Sequence, residues 1–237
     1  MEIKSVVDFL KWIQLEAVSA QMYRGQCDIS WLLLPSLCRY SENEDIKIGF
    51  DSILSLEEQL IDDFVKYSIP HIDMREMPYI EKLVYGQHYG LPTRLLDWST
   101  NPLKALFFAI ENHNLDDLDG VVFAVEPDCW AESTKDLTIN KMLEFLFPEL
   151  LNDRVTAQEG CFTSFPVNSD SGFEVKPLTE KNYSEEILNL FSVIIPAEHK
   201  QMLRLELSVL GISHRTLFPG LDGIARWVKS NIAIHSV

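Results

Sequence analysis

The residues from 86 to 109 gather several side chains that can do chemistry, within a turn-rich run at 86–99 and the start of the predicted helix that follows it. His88 and Asp97 could exchange protons with a substrate as a general acid–base pair. Arg94 offers a planar guanidinium that binds phosphate and carboxylate groups through paired hydrogen bonds. A structural alternative stays open, in which Asp97 forms an ion pair with Arg94. The stretch predicts either a site for an anionic ligand or a salt-bridged turn.

The same stretch runs directly into a predicted helix. Asn101-Pro102 is typical of a helix start, an N-cap residue followed by proline at the first helical position. Ser99 and Thr100 precede it, close to the free backbone N–H groups and the positive end of the helix dipole. Thr100 could also serve only as part of the cap. We expect an anion to be favoured at this point.

A second segment whose side chains could take part in binding or catalysis is Tyr23-Arg24-Gly25-Gln26. An arginine at a strand end, followed by glycine, presents its guanidinium where a ligand can approach the backbone closely. A surface arginine before a turn would explain the same residues.

A third segment, residues 154–163, contains Gln158 and Glu159 at a predicted strand–turn boundary. Either could face a cleft, or both could be a solvated surface pair. A one-residue change of strand register would exchange the two, so the sequence leaves the choice open.

The periodicity of apolar residues predicts the elements that position these segments. Helices are predicted at 4–19, 51–69, 78–85, 101–112, 137–147, 197–210 and after 221. Strands are predicted near 20–25, 120–127 and 190–196, with a strand pair or a strand and turn at 154–165. Helices and strands do not alternate strictly, which favours an α+β fold with mixed or antiparallel sheets flanked by helices. We expect a single domain over 1–237, with an N-terminal helix at 4–19, a motif core at 20–165 and a C-terminal strand–helix–helix unit at 187–232.

The charge is distributed unevenly along the chain. The sequence has 36 acidic residues against 20 lysines and arginines, a net charge of −16. Two acidic segments, 40–63 and 111–132, each carry −7, whereas the segment 82–104 carries +2. The total disfavours broad binding to nucleic-acid backbones or anionic membranes. One small anionic ligand in a local pocket is compatible with it.

No sequence feature indicates a membrane span, a secretion signal or a metal site. The apolar runs are much shorter than the roughly 18 residues a spanning helix needs. The histidines lack metal-ligand spacing, so no metal is predicted. The four cysteines are scattered, which favours free thiols in a reducing cytoplasm, and we expect a cytoplasmic protein without membrane partners.

The three segments together resemble the FRG domain, a family named for its Phe/Tyr-Arg-Gly motif. The similarity rests on Tyr23-Arg24-Gly25-Gln26, on the long motif from Gln87 to Ala109, and on the segment from Arg154 to Phe162. Further matching residues near the C-terminus extend it over roughly 6–228. The family has largely unassigned activity and occurs mostly in bacterial and phage proteins.

A weaker similarity connects the chain with ADP-ribosyltransferase-like folds. These folds combine an aromatic-Arg-Gly strand, a Ser-Thr-Ser strand before a helix with Ala and Phe, and a turn bearing Glu or Gln. The parallels here are Tyr23-Arg24-Gly25, Trp98-Ser99-Thr100 before Ala105–Ala109, and Gln158-Glu159. Asn101 replaces the last serine, and the Glu-x-Glu pattern is absent.

This weaker similarity implies NAD as cofactor and a role for each candidate residue. Arg24 would hold the pyrophosphate or the nicotinamide ribose, Ser99 and Thr100 would position the ribose, and Gln158 or Glu159 would stabilise the ribosyl cation. The residues implied as cofactor-binding are Tyr23, Arg24, Gly25, Gln26, Arg94, Ser99 and Thr100. Those implied as catalytic are Arg24, His88, Asp97, Gln158 and Glu159.

Three functions from different classes follow. The first is an NAD-using ADP-ribosyltransferase or NAD glycohydrolase, with a protein or nucleic-acid acceptor and a role as a bacterial toxin or phage-defence effector. The second is a non-catalytic module that senses a nucleotide-like small molecule or binds a protein. The third is a hydrolase or nuclease that uses His88 and Asp97 as acid–base groups.

Overall fold

The computed structural model describes residues 2–41, 44–133, 141–149, 152–167 and 172–234. The helices of these segments are α1 (Val6–Leu15), α2 (Ser36–Tyr40), α3 (Glu44–Gly49), α4 (Ile53–Ser68), α5 (Tyr79–His88), α6 (Pro102–Ile110), α7 (Asp153–Gln158), α8 (Lys200–Val209), α9 (His214–Leu217) and α10 (Leu221–Ile234). The strands are β1 (Met22–Gln26), β2 (Leu95–Ser99), β3 (Gly120–Pro127), β4 (Glu144–Leu146), β5 (Gly160–Ser164) and β6 (Ile187–Ile195).

The six strands form one sheet in the order β4-β5-β2-β1-β3-β6, and every neighbouring pair is antiparallel. Helices flank the sheet, so the predicted α+β class with an antiparallel sheet is confirmed. One buried cluster contains large side chains of the helices, among them Phe9 and Trp12 of α1 and Leu203 of α8. Trp98 of β2 and Phe145 of β4 belong to a second buried cluster.

Helix α6 packs on β1 and β3 at unusually short range. A Cβ added to Gly25 of β1 would lie 1.9 Å from the Ala105 carbonyl oxygen, and one added to Gly120 of β3 would lie 2.5 Å from the Ala109 carbonyl oxygen. Glycine on the strands is therefore required for this close approach of backbones. The helix starts where the sequence predicts, because the Asn101 side chain accepts a hydrogen bond from the Leu103 N–H.

Backbone pairing in the sheet is much reduced between β1 and β2. Strand β1 pairs with β3 over all five of its residues, whereas its pairing with β2 is formed by Tyr23 and Ser99. Beyond this pair, the Arg24 guanidinium reaches across the junction and its Nη1 donates to the Asp97 carbonyl oxygen at 2.6 Å. A side chain thus replaces backbone pairing at the point where the candidate motifs meet.

Two predicted elements of the central region are wrong. The run at 86–99, predicted to be turn-rich, is largely regular structure, since α5 extends to His88 and β2 begins at Leu95. The helix predicted at 137–147 falls partly outside the described residues, and its described end forms the edge strand β4. Phe145 pairs with Thr163 of β5 there, so sheet pairing overrides the local helical spacing.

Two predicted boundaries are also corrected. Residues 154–158 belong to helix α7 rather than to a strand, because the Asn152 side chain caps the helix start at the Val155 N–H. The first helix is shorter than 4–19. Ser5 caps its start through the Asp8 N–H, and the helix ends at Leu15 before the chain turns into β1.

In the described parts of the chain, no helix combines the length and the apolar character needed to cross a membrane. The four cysteines are free thiols, and only Cys129 is exposed.

Candidate functional site

A cavity of about 700 Å³ opens beside the junction of β1 and β2. Its walls come from β1, from the segment between β1 and α2, from β2, and from the C-terminal end of α6. Helices α7 and α10 complete it together with Phe218, which follows α9. The cavity therefore depends on residues that are far apart in the sequence.

Arginine is the residue that distinguishes this cavity from the rest of the molecule. The charged residues of its lining are Arg24, Arg39, Arg154, Arg226, Asp97 and Glu111. Four positive charges against two negative ones give the lining +2 in a chain whose total is −16. The positive potential is local, which suits a small anionic ligand rather than an extended polyanion.

Arg24 is the half-buried arginine on the sheet side of the cavity. Burial lowers the pKa of its guanidinium, the negative charge of Asp97 opposes this shift, and the nearby Arg39 reinforces it. Its Nη1 binds the Asp97 carbonyl oxygen, whereas its Nε is buried and has no hydrogen-bond partner among the described residues. A guanidinium remains charged in such surroundings, so a ligand oxygen would satisfy its unused donor.

Gln26 supplies a second unsatisfied polar atom. The residue is 5% exposed, it lines the cavity, and its Oε1 has no hydrogen-bond partner within the described part of the chain. A buried acceptor without a donor is unfavourable by about 1–3 kcal/mol. A ligand N–H or hydroxyl in the cavity would remove this cost.

His88 and Asp97 meet in a smaller cavity of about 70 Å³. Asp97, Arg154 and Gln158 line both cavities, so the two spaces adjoin. Burial lowers the pKa of His88, Arg154 lowers it further, and its Nδ1 is buried without a partner in the described segments. The Gln87 side chain donates to the Asp97 carboxylate at 2.6 Å, which orients that carboxylate.

The structure distinguishes Gln158 from Glu159. Gln158 lines both cavities, and its amide nitrogen donates to the Leu217 carbonyl oxygen at 3.1 Å. Glu159 has a left-handed φ of 48° and ends α7 outside the lining. Its carboxylate lies 2.8 Å from the Lys104 Nζ and accepts from Asn101, so these hydrogen bonds lower its pKa. Glu159 thus ties α7 to the start of α6.

Ser99 and Thr100 connect the same elements. The Ser99 hydroxyl donates to the Gln158 carbonyl oxygen at 2.7 Å and accepts from the Asn101 N–H, although the residue also lines the large cavity. The Thr100 N–H donates to the Glu159 carbonyl oxygen at 3.0 Å, and Thr100 lies outside the lining. Both residues hold α7 against β2.

Arg94 is the candidate that the structure removes from the ligand site. Its side chain is fully buried, and its Nε lies 3.3 Å from the equally buried Glu57 carboxylate. The Arg94 backbone N–H also donates to Glu57 at 3.0 Å, and the Tyr79 hydroxyl donates at 3.3 Å. Burial raises the pKa of Glu57, and the charge of Arg94 opposes that rise. Arg94 therefore anchors α4 to β2, and the predicted pair with Asp97 is not formed.

Tyr23 and Gly25 line the cavity, but both make structural contacts as well. The Tyr23 hydroxyl donates to the Ala20 carbonyl oxygen at 3.0 Å. The open side of Gly25 faces α6 at Ala105 rather than a ligand, so its lack of a side chain serves helix packing.

Several lining residues gave no signal in the sequence. Arg39 and Arg226 stand in ordinary helical stretches, and Trp31, 48% exposed, lies in the segment before α2. Phe218 belongs to the C-terminal segment that resembles the FRG-domain ending, but that resemblance gave the residue no role in a site. Residue type alone could not separate them from surface or core positions, because only long-range packing brings them together.

Glu2, Glu198 and His199 are the potential metal-ligating group of the described chain, with ligand atoms within 4.8 Å of one another. Both glutamates are exposed, Glu2 already pairs with Lys4 at 3.0 Å, and none of the three lines the cavity. This group takes no part in the candidate site.

Comparison with known proteins adds one finding to this geometry. The family model of the FRG domain matches residues 19–118, which include β1, β2, α6 and the long motif. No curated protein and no solved structure matches the chain. The expected similarity to ADP-ribosyltransferase-like folds therefore stays a prediction, as does the single domain over 1–237. On the strength of the family match and of the motif residues that it contains, residues 19–118 of this chain belong to the FRG domain family.

Proposed function

We propose that the arginine-lined cavity binds NAD and that the protein cleaves the bond between nicotinamide and ribose, as an ADP-ribosyltransferase or an NAD glycohydrolase. One observation carries the proposal: four arginines surround a cavity of about 700 Å³ in a protein of net charge −16. That volume is in the range of small-molecule and cofactor sites. The negatively charged pyrophosphate accounts for the arginines.

The polar and aromatic residues of the lining suit the remaining parts of a dinucleotide. The Gln26 Oε1 and the Arg24 Nε are buried without hydrogen-bond partners among the described residues. In the proposed complex, the former would accept from an amide or a ribose hydroxyl and the latter would donate to a phosphate oxygen. Trp31 lines the cavity and is partly exposed, so a planar base can stack on its ring. These contacts would bind the dinucleotide before any chemistry takes place.

Asp97 is the carboxylate that we assign to the chemical step. The bond between nicotinamide N1 and ribose C1′ breaks with its electron pair on N1, so neutral nicotinamide leaves and the positive charge passes to the ribosyl group. Asp97 lines the cavity and is oriented by Gln87, so its negative charge stabilises that cation. Water or an acceptor hydroxyl or amine then bonds to C1′ and loses a proton. The Lys104–Glu159 pair leaves Glu159 a structural role.

The direct test measures NAD binding by calorimetry and nicotinamide release by chromatography. Asp97→Asn should bind NAD but release nicotinamide at least about 100-fold more slowly, because it removes the negative charge that stabilises the cationic transition state. Arg24→Gln should lose NAD binding. Glu159→Gln should keep both properties, and Asp62→Asn is the matched control at an exposed aspartate. Release by Asp97→Asn at the wild-type rate would refute the role of Asp97.

The non-catalytic alternative predicts a different result in the same experiment. A sensing module would bind NAD, lose binding in Arg24→Gln, and release no nicotinamide in the presence of protein, nucleic acid or water. Expression in bacteria gives a second readout, because turnover would lower cellular NAD with the wild type but not with Asp97→Asn. That result would also support the expected role as a toxin or defence effector.

The small cavity favours a second candidate function, hydrolysis of a phosphoester by His88 and Asp97. Both residues line it, and the lowered pKa of His88 keeps the imidazole neutral near pH 7, able to accept a proton. His88→Gln should then abolish cleavage of RNA, DNA or a dinucleotide pyrophosphate. If nicotinamide release persists in His88→Gln and no phosphoester is cleaved by the wild type, this second function is excluded.

A further inference from the structure

Phe218 holds two of the four arginines of the cavity. The Cζ of Arg154 lies 5.0 Å from the centre of the Phe218 ring, and the Cζ of Arg226 lies 4.8 Å from it. One arginine comes from α7 and the other from α10, so one ring connects two helices. Cation–π contacts of this kind fix the position of a guanidinium while leaving its N–H donors available.

The Phe218 ring is itself firmly held. It is 4% exposed, and it packs edge-on against Phe108 at 6.1 Å and stacks on His214 at 5.9 Å. His214 lies 3.2 Å from the Glu111 carboxylate at the end of α6. Contacts with α6 and α9 therefore fix the position of the ring against which the two arginines lie.

Arg24 and Arg39 form a second pair near β1 and α2. Both residues line the cavity, Arg24 from β1 and Arg39 from α2. Neither Arg154 nor Arg226 has a carboxylate partner among the described residues. The cavity thus presents two guanidinium pairs to one ligand, with too little negative charge in its lining to neutralise them.

We propose that Phe218 is a positioning residue that holds Arg154 and Arg226 as a second phosphate-binding pair, and that the cavity thereby selects ligands with two linked phosphoryl groups over monophosphates. The inference rests on the proposed function in its choice of a nucleotide ligand. It adds a specificity that the proposed reaction does not require. A single phosphoryl group would satisfy one pair and leave the other unneutralised.

The test compares ligand pairs that differ by one phosphoryl group, with affinities measured by calorimetry. ADP-ribose is compared with AMP, and inorganic pyrophosphate with inorganic phosphate. The wild type should bind each diphosphate at least about tenfold more tightly than its monophosphate, because each charge-assisted pair adds binding free energy. Phe218→Leu should reduce this ratio to about threefold or less, mainly through weaker diphosphate binding.

Matched variants separate positioning from folding. Arg226→Gln, at an exposed residue, should lower the ratio as Phe218→Leu does without endangering the fold. Phe218→Trp should restore it, since an indole also binds guanidinium groups. Phe165→Leu removes another buried ring, which lies outside the cavity lining, and should leave the ratio unchanged while lowering the unfolding midpoint.

The outcomes for the two proposals are distinguishable. Selective binding of pyrophosphate without ADP-ribose binding would support the inference and refute the NAD function. Equal affinity of the wild type for diphosphates and monophosphates would overturn the inference while leaving NAD binding open to its own test. An unchanged ratio in both Phe218→Leu and Arg226→Gln would also overturn it, as would the absence of binding by all four ligands.

Discussion

Arg94 and Glu57 form a buried ion pair that joins α4 to β2, with neither side chain exposed to solvent. Glu57 also accepts hydrogen bonds from the Arg94 N–H and from the Tyr79 hydroxyl. Removing one partner of a buried ion pair is strongly destabilising, because the remaining buried charge loses its counterion. Arg94, a candidate ligand-binding residue in the sequence, therefore stabilises the fold.

We predict that Glu57→Leu lowers the free energy of unfolding by about 3–5 kcal/mol, because it removes the buried carboxylate that forms an ion pair with the Arg94 guanidinium. The double variant Glu57→Leu/Arg94→Met should be more stable than Glu57→Leu alone. Urea denaturation measures both. Arg75→Ala, which breaks an exposed pair with Asp73, is the control and should change stability little. A Glu57→Leu protein as stable as this control would contradict the assignment.

His88 makes stability depend on pH in a predictable direction. Burial and Arg154 lower its folded-state pKa below the unfolded value near 6.5, so the unfolded chain binds the proton first. Stability from this residue is therefore present above pH 6.5 and is lost as the pH falls through the lowered pKa.

We predict that the wild type loses more stability than His88→Gln between pH 7.5 and pH 5, as measured by thermal unfolding. Arg154→Gln should reduce the difference, since it removes one cause of the lowered pKa. An NMR titration gives the pKa of His88 directly. A value at or above 6.5 would contradict the prediction.

At the scale of elements, the contact of α6 with β1 decides the shape of the site. The Gly25 Cα faces the backbone of α6 at Ala105 and Ala109, and the carboxyl end of this helix contributes Phe108 and Glu111 to the cavity. Any movement of α6 away from the sheet changes the cavity directly.

We predict that Gly25→Ala costs about 3 kcal/mol of folding stability, because the new methyl group would overlap the Ala105 carbonyl oxygen, which belongs to backbone and cannot rotate away. Gly49→Ala is the control, since no atom lies within 4 Å of a Cβ at that position. Chemical denaturation measures both. The cavity interpretation also requires that Gly25→Ala weaken ligand binding, so unchanged stability and binding would refute the close packing.

At the scale of the whole molecule, the family match and the folded unit have different boundaries. The match covers residues 19–118. Strand β1, inside it, pairs along its full length with β3, which begins at Gly120 outside it. Two of the four cavity arginines and Phe218 also lie beyond residue 118. The matched segment therefore contains the motifs but only part of the sheet and of the cavity.

We predict that a fragment of residues 19–118 does not fold on its own. It would leave the edge of β1 unpaired along Met22–Gln26, where β3 binds in the full chain, and the edge of β2 unpaired where β5 binds. Circular dichroism and NMR of the fragment should show an unfolded chain, with the full chain as the folded reference. A cooperative thermal transition of the fragment would contradict this prediction.

Local rules account for the elements that were predicted correctly. The Asn101-Pro102 start of α6 and the β-branched run of β3 are specified by neighbouring residues, and both appear where the sequence places them. The close grouping of Gln87, His88 and Asp97 along the chain also brings them together in space. These features depend on caps, turns and short-range periodicity.

Tertiary structure decided the rest. Whether Gln158 or Glu159 faces the cavity depends on α7 ending in a left-handed residue that Lys104 holds. Arg94 became a core residue because Glu57, from a distant helix, is buried beside it. Phe218 brings Arg154 and Arg226 together only when α7 and α10 both pack against α9. The sequence by itself determined the FRG motifs and the uneven charge. The positive cavity was decided by packing between residues distant along the chain, since local preferences carry no information about such contacts.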